Sequence, residues 1–339
     1  METNPDLLYL APFQGITDYI FRSAFATHFG GLDAVFTPYL ANSPGGKVNP
    51  RKLRDFLPQN NEAIKTIPQI LSKDAVEMIT MANEFSEMGY KVMNWNLGCP
   101  FPQVAKKMRG SGLLPHPDFI KKIMDEVIPA ISIGLSVKTR VGYHEPDEIF
   151  KLMEVLNQYP IDEIIIHPRT GVQLYRGFAQ PDDFEACIHR TSFPLAYNGD
   201  IFTPENFNSL KSRFPNIKRW MIGRGALRNP FLPYAIKYNS LLPEKERRTA
   251  LENFSFGILE DSLARKQEIT HILDHQKALW QYLSYTFDDR TSAFRRIRKV
   301  STIEAFRPLL RGIIRNDALA GFIALTDTDP MNGIEVVEG

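Results

Sequence analysis

The stretch SKDAVEMITMANEFSEMGYKVMNWNLGCP, residues 72–100, holds one structural unit and the opening of a functional loop. Its first half sets apolar residues at helical spacing between a capping candidate, Ser72, and a closing Gly89. Its second half, KVMNWNL (91–97), has the alternation and β-prone residues of a strand and runs directly into Gly98-Cys99-Pro100. A helix leading back into a strand that opens onto a polar loop is the repeating step of a parallel sheet.

Outward from this unit the step recurs. Short β-rich runs stand at LLYLAP (7–12), DAVFTPY (33–39), IPQIL (67–71), GLSVKTR (134–140), DEIIIHP (162–168), PLAYNG (194–199) and KRWMIG (218–223), which with 91–97 makes eight. Helix openings with proline near the first turn stand between them, at Pro117, EPDEIFKLMEVL (145–156) and TPENFNSLKSRF (203–214). The crossover 40–66 is polar and irregular. Eight such units predict an α/β fold, a (β/α)8 TIM barrel over residues 1–240, with an open eight-stranded sheet as the alternative that pattern alone allows. Past 240 the strand signal stops, and residues 241–339 read as a C-terminal all-helical domain with a less ordered tail.

At 339 residues with 43% hydrophobic and 23% charged, the chain excludes disordered and fibrous classes. Two distant cysteines, Cys99 and Cys187, argue against a disulfide framework and for a reducing compartment. The N-terminus lacks the basic start and apolar core of a signal peptide, and no apolar run reaches membrane-spanning length, so a cytoplasmic protein is expected. No CxxC or HExxH spacing suggests a metal site, and no Walker loop or strand-associated GxGxxG is present. Net charge is +1, but residues 290–315 hold eight cationic residues against one acid, Glu304. That stretch is either a solvated helix face or a phosphate-binding surface.

In barrels of this type the active site forms at the C-terminal strand ends. Here those ends carry Ala11-Pro12-Phe13, Gln69, Asn96 with Cys99, Lys138 and Arg140, His167 and Arg169, Asn198-Gly199-Asp200, and Gly223-Arg224-Gly225. Any one of these has an ordinary structural explanation; their coincidence at one end is the signal. Glycines after the last two strands permit close backbone approach by a phosphate, which Arg224 can pair. A phosphate-bearing cofactor with its ring over the barrel centre would then have Lys138 beneath it and Gln69 at its edge.

The motifs LAPFQGITDYIFR (10–22), NWNLGCPFPQVAKKMRGSGLL (94–114), VKTRVG (137–142), IIIHPRTGVQLYRG (164–177), YNGDI (197–201) and MIGRGALRNP (221–230) resemble, in this order, the tRNA-dihydrouridine synthase family. The resemblance implies an oxidoreductase that reduces the 5,6 bond of a tRNA uridine with FMN, fed by NADPH or NADH. Position by position, it implies Cys99 as the catalytic acid, and Ala11, Pro12, Phe13, Gln69, Lys138, His167, Asn198, Gly199, Asp200, Gly223 and Arg224 as the cofactor site. Asn96 and Arg140 match residues near the target uridine. A thiol is mostly protonated near neutrality, and the glycines at 110 and 112 would let its loop close over a flipped-out base. Tyr39, Tyr175 and Arg169 are candidates to read that base, and Lys106 to grip the backbone.

The segments HQKALWQYLSY (275–285) and AFRRIRKV (293–300) look similar to the dihydrouridine synthase C branch, which modifies U16 of the D-loop. There Lys277, Arg296 and Arg298 would help set the direction of the tRNA. Two departures from the family pattern are Phe13, where methionine is common, and Pro168, where glycine is common. The partner expected is tRNA, with no metal and no membrane, for a monomer. The rival readings are an FMN barrel reducing a free pyrimidine, for which a basic helical domain has no use, and a non-catalytic RNA-binding protein, for which Cys99, Lys138 and Arg224 have none.

Overall fold

The computed structural model describes residues 5–41, 53–265 and 268–329. Among them nine strands form one parallel sheet: β1 (Leu7–Leu10), β2 (Ala34–Phe36), β3 (Thr66–Ile67), β4 (Gln69–Ile70), β5 (Val92–Leu97), β6 (Gly134–Gly142), β7 (Ile164–Thr170), β8 (Leu195–Tyr197) and β9 (Arg219–Ile222). Each lies within about two residues of a run read from the sequence. β3 and β4 are halves of one run, parted by Pro68, which has no N–H for a ladder. One half pairs with β2, setting Ile67 opposite Phe36; the other pairs with β5, setting Gln69 opposite Asn94. Since β1 also pairs with β9, this run closes the sheet into a barrel, and the open-sheet alternative falls.

Helices cover the strands as the spacing demands. In α1 (Tyr19–His28) the apolar face is Ile20, Phe21 and Phe25. α2 (Ala75–Glu87) starts on Asp74, whose carboxylate accepts from Glu77 N at 2.9 Å. Ser72, the expected cap, lies two residues too early and bonds the Glu77 carboxylate at 2.6 Å instead. After the single turn α3 (Pro102–Ala105), α4 (Pro117–Val127) buries Ile120, Ile123, Met124 and Val127, one stripe of an amphipathic helix. Then come α5 (Glu148–Leu156), α6 (Pro181–Glu185), α7 (Pro204–Arg213), α8 (Arg224–Arg228) and α9 (Leu232–Tyr238). In the irregular crossover, residues 42–52 lie outside the described residues; the rest includes two single turns, Arg54–Phe56 and Pro58–Asn60, tied down by Arg22 to Asp55 at 3.1 Å.

Pro168 stands inside β7 without breaking the barrel. The register between β6 and β7 slips between Arg140 and Gly142, and Pro168 falls at that irregularity, where a missing N–H costs least.

Beyond the barrel follow α10 (Glu244–Ala264), α11 (Ile269–Leu283), α12 (Arg290–Arg298) and α13 (Ile303–Asn316). α10 packs on α1 through Phe254, whose ring lies 5.4 Å from Phe21 and 4.8 Å from Phe29. Of the tail expected to be less ordered, residues 330–339 lie outside the described residues. Residues before them are pinned: Ala320 N donates to Thr286 O at 2.8 Å. No described helix is long and apolar enough to cross a membrane.

Candidate active site

The C-terminal ends of the strands open into two adjoining clefts that share Pro12, Phe13, Lys138, His167 and Tyr175. The first, of about 580 Å³, has Gln69, Asn96, Cys99 and Arg140 on its walls. The second, of about 460 Å³, has Ala11, Arg169, Asn198, Gly199, Asp200, Gly223 and Arg224. Every cofactor candidate therefore borders one continuous depression, as do Tyr39, Asn96, Arg140, Arg169 and Tyr175.

The wall at Gln69 is a ladder of side-chain amides. Gln69 Nε2 donates to Asn94 Oδ1 at 2.8 Å, Asn94 Nδ2 to Ser136 Oγ at 2.9 Å, and Asn96 Nδ2 to Gln69 Oε1 at 2.8 Å. Each link fixes which end of an amide is which. Gln69 keeps one N–H and one lone pair beyond these bonds, so it can both donate to and accept from a ring edge. Asn96 does a second job: its Oδ1 accepts from Gly98 N at 2.9 Å and from Cys99 N at 2.8 Å. The strand end thus folds over its own asparagine and turns Cys99 into the cleft.

The glycines after Cys99 are packing positions, which corrects their expected use as hinges. Gly110 has φ +56°, and a Cβ there would sit 2.6 Å from the Cys99 carbonyl oxygen. A Cβ on Gly112 would sit 2.2 Å from Ala105 O. Ser111 closes the knot, with N and Oγ both donating to Cys99 O at 3.0 Å. Cys99 is buried against Leu71, Phe101 and Val104 and is held by its backbone from both sides. Cys187, by contrast, lies in the barrel core, and burial pushes its thiol up to about 12.

The second cleft gathers cations. Asp200, with φ +42°, accepts from Arg169 Nη2 at 2.6 Å, from Arg224 Nη2 at 2.9 Å and from Ala179 N at 2.7 Å. Its carboxylate faces the two guanidiniums and orients them. Lys138 meets no carboxylate among the described residues; burial first, then Arg140, lowers its pKa to about 7. Burial likewise holds Arg140 down to about 10. His167 is held well below its usual value by burial and then by Arg140, Arg169, Lys138 and Arg224, so it is neutral. Arg169 Nη1 lies 2.9 Å from His167 Nε2, and a guanidinium only donates. The His167 proton is therefore on Nδ1, which leaves a neutral donor for a ligand.

Burial first, and neighbouring cations after it, lower the pKa of Lys138, Arg140, His167 and Arg169, and with Arg224 these side chains line a depression suited to an anion. The glycines beside it are close-packing positions: a Cβ on Gly225 would sit 1.9 Å from Ile201 O, and one on Gly199 2.8 Å from the Ala179 Cβ. The cations at Arg169 and Arg224 suit an anionic group, and Lys138 with the Gln69 amide supplies polar partners further along the same depression. Among the described residues no group of three or more His, Cys, Asp and Glu could hold a metal ion.

Four tRNA candidates lie outside the clefts. Lys106 is exposed at the end of α3, beyond the Cys99 loop. Lys277 lies on α11 and is half-buried; Arg298 ends α12 and is exposed. Arg296 is paired with Asp317. The basic stretch is likewise partly neutralised, with Arg307 on Glu260 and both Arg311 and Arg315 on Glu252. Sequence reasoning missed Phe101 and Phe202 as walls, although each follows a chosen residue by two positions. Phe13, the first departure, packs edge-on against Tyr282 of α11 at 6.0 Å, joining the site to the helices.

A family model described as Dihydrouridine synthase (Dus) matches residues 9–307. The tRNA-dihydrouridine synthase B of Pasteurella multocida (strain Pm70) is 32% identical over 278 residues, covering 81% of this chain and 78% of that protein. Its namesake from Vibrio vulnificus (strain CMCP6) is 28% identical over 286 residues, covering 80% and 88%. Both relatives carry the B designation and so do not single out the C branch. Among solved structures, a morphinone reductase aligns with TM-score 0.50 at 10% identity over 70% of this chain and 87% of that one, a likeness of fold alone. With the family match running from β1 into α13, the chain belongs to the dihydrouridine synthase family: it is a flavin-dependent oxidoreductase that reduces uridine in tRNA.

Proposed function

We propose that this enzyme reduces the 5,6 bond of one D-loop uridine, U16, with FMN in the joined clefts and Cys99 as proton donor. FMN bound there would supply hydride to C6 of the uracil after reduction by NADPH or NADH. Lys138 and the Gln69 amide would hold the ring, the neutral His167 would donate through Nδ1, and Arg224, Arg169 and the backbone at Gly199 and Gly223 would take the phosphate. Ala11, Pro12 and Phe13 would line the ring, with Asn198 fixed beneath by its bond to Met221 O at 2.8 Å. Asp200 would act by orienting the two arginines, since a carboxylate repels phosphate.

The Cys99 thiol would give its proton to C5 as hydride arrives at C6, and the thiolate left would be reprotonated from water. Asn96 would set the thiol by gripping the Cys99 N–H. A base can reach this point only when flipped out of its stack. Arg140, Tyr175 and Tyr39 would receive it, and Lys106, Lys277, Arg296 and Arg298 would meet the tRNA backbone, the enzyme acting as a cytoplasmic monomer. U16 rests on the look of residues 275–285 and 293–300.

The observation that carries this reading is the cleft with Cys99 in one wall and the cation cluster at its other end. The experiment is uridine reduction in whole tRNA with NADPH, mapped by position, for wild type and Cys99→Ala. Product at U16 that drops at least about 100-fold in the variant is expected. Product at another uridine overturns the site alone. Equal product from the variant overturns the acid.

A further inference from the structure

The chain beyond α13 turns back toward the barrel mouth. It ends, within the described residues, on Asp329, whose carboxylate is buried. Arg228 takes both its oxygens, Nη1 to Oδ2 at 2.7 Å and Nη2 to Oδ1 at 3.0 Å, and the Tyr285 hydroxyl donates to Oδ1 at 2.9 Å. The pair spans 101 residues of sequence. Asp329 lies past the end of the family match at 307, so the family resemblance does not account for it.

Arg228 ends α8, the short helix that Arg224 begins. Its guanidinium lies 4.2 Å from the centre of the Tyr285 ring and 4.7 Å from that of Phe202. Phe202 borders the second cleft and carries the Arg224 guanidinium at 5.5 Å. Asp329 is thus three contacts from Arg224: it fixes Arg228, Arg228 backs Phe202, and Phe202 is a surface on which Arg224 rests. Burial weakens the hold of Arg228 on its proton, and Asp329 is the one carboxylate paired with it among the described residues. Without Asp329 an uncompensated cation lies behind Phe202, and such a group draws in water or shifts toward another acceptor.

Resting on the flavin reading above, we propose that Asp329 is a positioning residue for the anion end: it latches α8 so that Arg224 is set for the cofactor phosphate. Charge alone predicts the opposite of this latch. Removing a carboxylate near an anion site strengthens anion binding through space, whereas loosening Arg224 weakens it. The sign of the effect separates the two.

The test is the affinity of flavin-free protein for FMN and for riboflavin, which lacks the phosphate, followed by quenching of flavin fluorescence. Asp329→Asn is expected to weaken FMN binding about tenfold, the scale on which outer partners of a binding group act, and to leave riboflavin nearly unchanged. Tyr285→Phe removes one bond to Asp329 without stranding a charge and is expected to act in the same direction, less strongly. It decides the matter if Asp329→Asn does not fold. Unchanged or tighter FMN binding overturns the latch, as does an equal loss for both flavins, which marks Asp329 as a fold contact only. Wild-type protein that takes up neither flavin overturns the flavin reading, and the latch with it.

Discussion

The Tyr175 ring is shared by two guanidiniums, with Arg140 Cζ and Arg224 Cζ each 5.2 Å from its centroid. It stands where the two clefts meet, and His167 lies 6.2 Å away on the same wall. One ring therefore touches both the arginine of the Cys99 end and that of the anion end. Cation–π contacts in a desolvated setting are worth about 1–2 kcal/mol each. Tyr175→Leu is expected to lower kcat/KM for tRNA by about 10- to 100-fold, while Tyr175→Phe keeps most of it. Equal loss in both variants would assign the effect to the hydroxyl and not to the ring.

Lys138 makes a prediction in pH. Its pKa is lowered to about 7 from 10.5, so between those values the folded, flavin-free chain holds fewer protons than the unfolded one. The cost to stability is full below pH 7 and fades as pH rises through that window. A flavin acceptor set against Nζ favours the charged form, so binding takes up a proton above pH 7 and weakens as pH rises. Titrations of FMN at pH 6 to 9 are expected to show affinity falling above 7, by at most about tenfold per unit. Lys138→Met is expected to flatten this dependence and to stabilise the flavin-free fold by about 1–2 kcal/mol. An unaltered pH profile in the variant would remove Lys138 from the ring.

Gly110 and Gly177 both hold positive φ, at +56° and +62°, yet they differ in what surrounds them. A Cβ on Gly110 would collide with the Cys99 backbone, whereas at Gly177 the nearest atom is Gln173 Nε2 at 3.7 Å. Gly177→Ala is expected to cost about 1 kcal/mol in chemical denaturation, from backbone conformation alone. Gly110→Ala is expected to cost about 2–3 kcal/mol and also to cut uridine reduction in protein that still binds flavin. Full activity in a folded Gly110→Ala protein would show that Cys99 need not sit where this knot puts it.

In the basic stretch, ion pairing decides which charges stay without a carboxylate among the described residues. Arg311 leans on Glu252, while Arg298 is exposed and pairs with no carboxylate among the described residues. Arg298→Ala is expected to reduce the slope of log affinity for tRNA against log salt by about 1, and Arg311→Ala by less. Binding at four salt concentrations measures both. Equal slopes for all three proteins would move the tRNA contact away from the end of α12.

What the sequence made legible was local. The eight barrel runs show because a parallel strand buried on both faces is a short block of apolar, β-prone residues, as in IIIHP around Ile165. The strand-end residues show because the fold brings them together whatever lies between. Asp74 was hidden by Ser72, both good caps two residues apart, and only the helix start separates them. The role of Gly110 was hidden because a hinge and a close packing contact call for the same residue. Asp329 was beyond reach, since nothing near it in the chain announces a guanidinium 101 residues away. The neutralised half of the basic stretch was hidden in the same way, because Glu252 and Glu260 lie on another helix.

Pro68 gives the barrel a seam. At every other strand the ladder continues from neighbour to neighbour, but here one half of the run belongs to β2 and the other to β5. Across the break Pro68 O accepts from Asn94 N at 2.8 Å, and Gln69 N turns to the Thr37 hydroxyl at 2.9 Å. The amide ladder that borders the cleft begins at this junction, on Gln69. Leu40 bridges to Ile70 beyond the break, so the cylinder is sewn past its seam, and a molecule bound against Gln69 would rest on the residue at which the cylinder closes.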